Sequence, residues 1–563
     1  MSQKQANRRI RLLLAIFVLI FAGTLARAVW LQGVNAASLG KMAERQHRES
    51  IAIPAGRGTI VDDTGLPIAI GEQTTTVYAD PRQVKRPLAL AQAAHRLLGV
   101  DANTLYPQLQ DKKMGFLYLK RFADPKAATA LIKLNFAGVN SYPEERRTYP
   151  QGSLAAQVIG YAGTDNKGLA GLEIEYNKRL SGKSGKQTIV RDPFGRAIDI
   201  ISSTPERQGA DLFTTLDHTI QANAESVLRQ TIHQWGAQSA TAVVLDPRTG
   251  AVLAMAQAPG YNANNANNAP FALQRNRAVT DQYEPGSVFK VVTVAGALSA
   301  GLVTPDTKFT LPYSIKVADR TVHDAELRGT ETMSVAQILS RSSNVGAVTI
   351  AKELGADGLM NWISKFGFGK PTGIDFPGES SGDVLPLDQW SGSTIGNVPI
   401  GQGVAVTPIQ LASAYAAIAN GGIWVQPHLV GRVDGATSKL VHRRIVSADV
   451  DKELKTMLTG VVDENGATGT AAAIAGYSVA GKTGTAQVPG PNGYTTGKYV
   501  ASFVGMVPVK NPRLVVLVTV NYPTKSIFGG VVAAPAFAQI AKFDLQYLSV
   551  PPDVPVTAST TTP

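Results

Sequence analysis

Glu284-Pro285-Gly286-Ser287-Val288-Phe289-Lys290 closes an extended segment and opens an apolar, helix-compatible run from Val288 to Leu298. This places Ser287 at a helix N-terminus, where free backbone amides favour a developing oxyanion. Lys290 stands at i+3, one turn on and on the same face. The plainer reading is a helix start, with Ser as its cap and Lys as a solvated side chain. Alone the pattern decides nothing, because Ser38-Leu39-Gly40-Lys41 matches it too. The shortage of other bases gives it weight. The seven histidines (47, 95, 218, 233, 323, 428 and 442) fall in no triad or metal spacing, and there is no G-x-S-x-G elbow. A serine nucleophile here needs another base, and Lys can serve once partial burial and neighbouring charge lower its pKa.

Downstream lie two more elements. Ser342-Ser343-Asn344 follows Ser340 and Arg341 in a polar cluster between helical segments, and Lys482-Thr483-Gly484-Thr485 follows Gly481 at the head of a strand-like stretch ending at Val488. Taken singly, each reads as a surface loop. In the order S-x-x-K, S-x-N, K-T-G they form the serine acyl-transfer set. Lys183-Ser184-Gly185 imitates the third element but precedes Ser287, so its order is wrong.

The surrounding pattern predicts the scaffold. Thr219 opens a helix with Ile220, Ala224, Val227, Leu228 and Trp235 at helical spacing. Thr241 to Leu245, Ala251 to Ala256, Ser502 to Val507 and Leu514 to Val520 read as strands, and the segment between the two pairs as largely helical. Strands at both ends with helices inserted predict an α+β domain in which distant segments share one sheet. Before it, Thr59-Ile60-Val61 and Leu66 to Ile70 read as two strands around a turn. Pro87 to Leu98 and Pro125 to Leu134 read as helices, each with Pro at its first position. Gly160 to Gly195 is a Gly-studded stretch, and Asn262 to Asn268 reads as a polar loop.

At the start, Lys4, Arg8, Arg9 and Arg11 precede an apolar run from Leu12 to Leu31, interrupted only by Arg27. Twenty residues make about 30 Å of helix, the thickness of a hydrocarbon core. Arg27 can snorkel, Trp30 suits the interface, and the basic cluster predicts an inside N-terminus with the remainder outside. The rival is a cleaved signal peptide, because Ala26-Arg27-Ala28 has the small-x-small form. The chain has 563 residues, 44% hydrophobic and 17% charged, enough to bury a sizeable core in two or three domains. It contains no Cys, which excludes disulfides, Cys-bound metal and a Cys nucleophile. Its net charge of +12 comes with no zinc-finger spacing or aromatic-rich basic RNA motif, so nucleic acid is not the expected partner.

From residue 50 to 545 the chain resembles the class B penicillin-binding proteins, membrane-anchored peptidoglycan D,D-transpeptidases; its layout is most similar to the division-specific type, FtsI or penicillin-binding protein 3. Arg57 to Ala69 resembles the signature R-G-x-I-x-D-R-x-G-x-x-L-A, with Asp63 where Arg is usual, which puts an internal salt bridge in doubt. Arg147 to Pro150, Gly160, Gly171-Leu172-Glu173, Thr215-Leu216-Asp217, Met255 to Asn262, Asn276-Arg277-Ala278, Gly401-Gln402-Gly403, Thr407-Pro408 and Phe528 to Pro535 also look familial.

The resemblance implies an anchor over 1–34, a non-catalytic pedestal or dimerisation-type module over 35–225, and a transpeptidase domain over 226–548, with a central antiparallel sheet flanked by helices. A disordered tail follows over 549–563. It further implies that Ser287 attacks the penultimate D-Ala carbonyl of a stem peptide and that Lys290 takes its proton. Ser342 would relay the proton to the leaving amine, with Lys482 tuning the network. Asn344 would hydrogen-bond the substrate amide. Ser343, Thr483, Gly484 and Thr485 would line the substrate site, with Thr483 and Thr485 on the terminal carboxylate and the amides of Ser287 and Thr485 as oxyanion hole. No cofactor or metal is implied. The implied partners are stem peptides, β-lactam antibiotics, a glycan polymerase of the FtsW type and other division proteins. The implied location is the bacterial inner membrane, single-pass, with the catalytic domain in the periplasm.

The alternatives are an elongation-type transpeptidase, a D,D-carboxypeptidase and a non-catalytic β-lactam sensor or divisome scaffold. A β-lactamase fits least, since no E-x-x-L-N segment is present and Asn344 departs from the class D S-x-V pattern. No E-D-x-x-F-x-x-H motif of a glycosyltransferase domain is present either.

Overall fold

The computed structural model describes residues 3–34, 48–191, 197–437, 439–491 and 493–555. The chain divides into two compact units, one of residues 1–56 and 182–209 and one of residues 57–181 and 210–563. Ser38 to Lys41 and the end of the tail, 556–563, lie outside the described residues.

In the first unit, a helix over Gln3–Val29 continues as a π-helical turn over Trp30–Val34. Its stretch Gln3–Gly33 is long and apolar enough to cross a membrane, and none of its most apolar window is buried in protein. The predicted span, Leu12 to Leu31, lies inside it. The same unit holds an antiparallel sheet in the order Arg48–Ile53, Gly185–Arg191, Ala197–Thr204. Gly185 of the third-motif imitation therefore opens a strand there, outside the unit that holds Ser287.

The second unit begins with the strand pair predicted around Asp62 to Gly65, although the second strand is longer than its apolar run. It spans Pro67–Ala79 and pairs with Leu117–Ala123 and Val139–Thr148. The polar middle of this strand is held by cross-strand charge, with Glu72 accepting from Arg146 Nη2 at 2.5 Å. Helices Pro87–Leu98 and Pro125–Lys133 form as expected, the second capped by Asp124 accepting from Ala127 N at 2.9 Å.

Several familial residues converge on one buried ion network. Glu173 accepts from Arg57 Nε at 2.6 Å and from Arg147 Nε at 2.6 Å, and all three side chains are at most 2% exposed. Arg57 Nη1 also donates to Asn177 Oδ1 at 2.9 Å, and Arg147 Nη1 to the Gly58 carbonyl at 2.8 Å. Buried charges persist when they are paired, and these are, with Arg147 Nη2 alone of the three side chains' polar atoms left without a hydrogen-bond partner among the described residues. Asp63 joins no ion pair among the described residues, while its neighbour Asp62 meets His218 Nδ1 at 2.6 Å.

The half of this unit that carries the three motifs starts with α1 (His218–Trp235), capped by Asp217 on Thr219 N and Ile220 N and closed by left-handed Gly236. Strands β1 (Ser239–Leu245) and β2 (Val252–Ala258) follow, and 263–268 forms a 3₁₀ turn rather than the expected plain loop. Then come α2 (Lys290–Ser299), α3 (Val335–Ser340), α4 (Asn344–Phe366), α5 (Pro408–Ala419) and α6 (Ala448–Asp463). The chain ends in β3 (Ala480–Gly490), β4 (Gly493–Val507), β5 (Leu514–Asn521) and α7 (Ala534–Tyr547).

The five strands make one antiparallel sheet in the order β2-β1-β5-β4-β3, so the predicted sharing of a sheet by distant segments holds. Its centre is buried on both faces. Val243, Leu245, Val515 and Leu517 enter the core built from α2, α4, α5 and α6, while Ala242, Val244, Val516 and Val518 pack with α1 and α7. That alternation is the period-two geometry of a strand between two helical layers. The middle segment is less helical than expected, because short two-stranded ladders (Lys308–Leu311 with Glu331–Ser334, Ser314–Val317 with Arg320–His323) interrupt it.

Candidate active site

Ser287 lies in a 3₁₀ turn, Gly286–Phe289, that runs directly into α2. In a 3₁₀ turn residues i and i+3 eclipse, so Ser287 and Lys290 share one line of the helix surface. The turn is clamped from behind. Gly286 N donates to the Gly401 carbonyl at 3.0 Å, and Tyr415 of α5 donates its hydroxyl to the Val288 carbonyl at 2.9 Å.

The solvated reading of Lys290 fails, because the side chain is fully buried. Its Nζ lies 2.5 Å from the Ser342 carbonyl, 3.2 Å from Ser342 Oγ and 2.7 Å from Asn344 Oδ1. Burial and the charge of Lys482 push its pKa well below the ordinary lysine value, while Asp324 opposes the shift. A protonated amine would fill all three acceptors, whereas a neutral one donates to two and keeps a lone pair for accepting a proton.

Ser342, Ser343 and Asn344 join α3 to α4. Ser342 adopts left-handed backbone with φ of 59°, a conformation uncommon outside glycine. The bend is stabilised from below. Ser343 caps α4 by accepting from Gly346 N at 2.9 Å and donates its own proton to Asp324, whose oxygens lie 3.0 Å away. Asp324 also accepts from Val345 N at 2.9 Å and pairs with Arg328 at 2.5 Å. Asn344 Nδ2 donates to the His323 carbonyl at 3.0 Å, fixing which side of the amide faces Lys290. Ser343 therefore supports the motif from the core, where the sequence reading placed it at the substrate.

The third motif sits on β3, which is an edge strand: among the described residues β4 is its only ladder partner, with Lys482 opposite Val504 and Thr485 opposite Ala501. Successive side chains alternate, so Thr483 and Thr485 share one face and Lys482 the other with Gly484. Lys482 is fully buried, and burial lowers its pKa to about 7. Gly484 lies where there is no room for a side chain, since a Cβ would stand 2.3 Å from Ser502 Oγ and 2.9 Å from the Pro285 carbonyl. The strand thereby passes close to the Ser287 turn. Thr485 Oγ1 accepts from Gly529 N at 3.1 Å, which gives the familial 528–535 segment its place behind β3.

Thr468 and Asp324 lie outside every motif, and Glu284, at the head of the first, carries no role in the sequence pattern. Thr468 Oγ1 lies 2.7 Å from Thr483 Oγ1. Asp324 anchors the second motif. Glu284 accepts from Gly403 N at 2.8 Å and from Tyr494 OH at 2.9 Å, tying the Gly401-Gln402-Gly403 loop to the β3–β4 hairpin on either side of the serine. No group of His, Cys, Asp or Glu able to hold a metal occurs among the described residues.

The arrangement is a serine one 3₁₀ turn from a buried lysine of lowered pKa, close to the edge strand of the sheet. Residues 240–542 match the family described as penicillin binding protein transpeptidase domain, and residues 52–214 the penicillin-binding protein dimerisation domain. The chain is 33% identical to the peptidoglycan D,D-transpeptidase FtsI of Escherichia coli K12, over 97% of this chain and 92% of that one. It is also 33% identical to the probable peptidoglycan D,D-transpeptidase PenA of Neisseria meningitidis, over 98% and 95%. Among solved structures, penicillin binding protein 3 of Mycobacterium tuberculosis complexed with aztreonam superposes with a TM-score of 0.71 at 30% identity, over 90% of this chain and 99% of that one. A peptidoglycan synthetase from Bifidobacterium adolescentis gives 0.74 at 29% identity, over 91% and 98%.

Proposed function

This chain belongs to the penicillin-binding protein transpeptidases, and from that premise we propose a role for each residue of its site. The chain is a serine-type peptidoglycan D,D-transpeptidase. Ser287 Oγ attacks the penultimate D-Ala carbonyl of a stem peptide while Lys290 Nζ takes the hydroxyl proton. The amides of Ser287 and Thr485 hold the oxyanion, which the close approach of the Gly286 turn to β3 supports. The tetrahedral adduct collapses to a Ser287 ester, and the terminal D-Ala departs with the proton relayed through Ser342. An amine of a second stem peptide then attacks the ester, forming the cross-link and returning the proton to Ser287. Thr483 and Thr485 bind the peptide carboxylate through their hydroxyls, Lys482 tunes the proton network from within, and Asn344 holds the substrate amide. Gly484 lets β3 pass close to the serine turn, so that an extended peptide added along the strand would lie beside the nucleophile.

The observation that carries this reading is Lys290: buried, depressed in pKa, and joined to Ser342 and Asn344 in one hydrogen-bonded cluster. The septal role is taken from the likeness to FtsI. The proposed organisation is an anchor over 1–34, a non-catalytic module over 35–225, the transpeptidase domain over 226–548 and a tail over 549–563. The apolar helix and the two family matches support it. The basic residues before the apolar run support an inside N-terminus and a periplasmic catalytic domain. A glycan polymerase of the FtsW type and other division proteins are proposed as partners of the non-catalytic module on the same likeness.

Intact-protein mass spectra after incubation with benzylpenicillin test the site. The expected result is a persistent adduct of one drug mass that is absent in Ser287→Ala. No adduct in folded parent protein refutes the assignment, and rapid loss of the adduct with accumulating hydrolysed drug points to β-lactamase chemistry instead.

A further inference from the structure

A cavity of about 280 Å³ lies on the catalytic half, bordered by the C-terminal end of α4, the 370–372 loop, one side of α5, Trp424 and Arg443. None of the three motifs contributes to its wall. Its polar groups are cationic or neutral. Arg443 lies with its guanidinium 4.5 Å over the Trp424 ring and donates to the carbonyls of Lys365 and Phe366, which end α4. Lys370 is exposed at the rim. Neither cation has a carboxylate partner among the described residues, and no acidic side chain lines the cavity. The nearby carboxylate, Glu379, is already occupied by Thr372 N, Thr372 Oγ1 and Gly373 N at 2.6–2.9 Å. Ser413 of α5, also in the wall, is 2% exposed, and its hydroxyl has no hydrogen-bond partner among the described residues. Burial lowers the pKa of Arg443, as for a charge without a counter-ion.

We propose that this cavity is a binding site for a small oxyanion-headed molecule, a carboxylate or a phosphate, seated between Arg443 and Lys370 with its apolar part against Trp424. The volume suits a compact organic acid rather than a drug-sized ligand. Arg and Lys supply the fork and point charge that such heads require. The site borders α5, whose Tyr415 holds the carbonyl beside Ser287, so occupancy is positioned to be sensed at the nucleophile.

The test is calorimetric titration of the full chain in detergent micelles with succinate and, separately, inorganic phosphate, at ionic strength held constant with chloride. The expected result is saturable one-to-one binding in the millimolar range, weakened about tenfold by Lys370→Gln and Arg443→Gln. The tighter of the two probes identifies the head group. Lys370 is on the surface, so Lys370→Gln carries the test if loss of the Arg443 contacts to α4 prevents folding. The active site has cations of its own, and the titration is therefore repeated after acylation by benzylpenicillin, where binding is expected to persist. Absence of saturable heat with both probes overturns the proposal. So does binding indifferent to Lys370→Gln, or binding abolished by acylation.

Discussion

Asp324→Asn removes the carboxylate beneath the second motif while keeping its shape. In the parent, Asp324 accepts from Ser343 Oγ and Val345 N and pairs with Arg328, with side-chain exposures of 8% and 12% for the pair. Removing one member of a buried pair costs about 3–5 kcal/mol; the acceptor oxygen that Asn retains and the slight exposure of Arg328 reduce this to about 2–4 kcal/mol. For a domain of this size that lowers the melting temperature by about 4–10 °C. Activity changes in a second, separable way. Asp324 raises the pKa of Lys290 against burial and Lys482, so its loss lets the pKa fall further and makes the neutral base available at lower pH. The acid limb of acylation by a fluorescent penicillin should move to lower pH, while the plateau falls because Ser342 and Asn344 lose their support. Arg328→Gln leaves the Asp324 charge uncompensated and should move the same limb to higher pH. Differential scanning fluorimetry and stopped-flow acylation from pH 5 to pH 9 read both quantities. A melting temperature within about 1 °C of the parent, together with an unshifted limb, would refute the reasoning.

Gly484→Ala should abolish acylation and lower the melting temperature, because its Cβ falls 2.9 Å from the Pro285 carbonyl, a backbone atom held by the serine turn; normal acylation of this variant would show that β3 and the turn are free to separate. Glu173→Gln leaves Arg57 and Arg147 as buried, under-compensated cations and should destabilise by about 3–5 kcal/mol in urea unfolding, with penicillin acylation of the remaining folded fraction unaffected. Lys482 has a folded pKa of about 7 against 10.5 for the ordinary group. Between those values the unfolded chain binds the extra proton, so this residue makes stability rise with pH across that window. The gain in melting temperature between pH 7 and pH 9 should therefore shrink in Lys482→Met; an equal gain in both proteins would mean that Lys482 is not held neutral.

The three proposed motifs are legible because each is a contiguous string with a local steric demand. S-x-x-K needs one helical turn, and the Gly of K-T-G is required where a strand passes close to another backbone. The supports were not legible, because Asp324 meets Ser343 across 19 residues and Tyr415 meets Val288 across 127, with no periodic rule connecting them. Ser343 reads as a substrate contact from its place in the motif, yet its neighbours Ser342 and Asn344 meet Lys290 while its own hydroxyl turns to Asp324 in the core. The strand Pro67–Ala79 was truncated in the sequence reading at Ile70 because Gly71-Glu72-Gln73 lacks an apolar face, and cross-strand ion pairing supplies what hydrophobicity does not. The ladders between 308 and 334 have strands of four residues with mostly exposed faces, too short for period-two alternation to register.

The pairing of β1 with β5, which sets Ser239 opposite Asn521, has a consequence for biosynthesis. Closing a loop of that length costs only about (3/2)RT ln n in entropy, so the penalty is kinetic rather than thermodynamic. As the polypeptide emerges from the ribosome, Ser239 of β1 is made 282 residues before Asn521 of β5, the strand that covers the open edge of the β1–β2 hairpin. Through that interval an apolar hairpin edge is exposed to pairing with other chains, the situation in which nascent proteins rely on holding chaperones. A ribosome stalled anywhere before β5 leaves that edge unsatisfied, and the truncated product is a substrate for proteolysis and not a weaker enzyme.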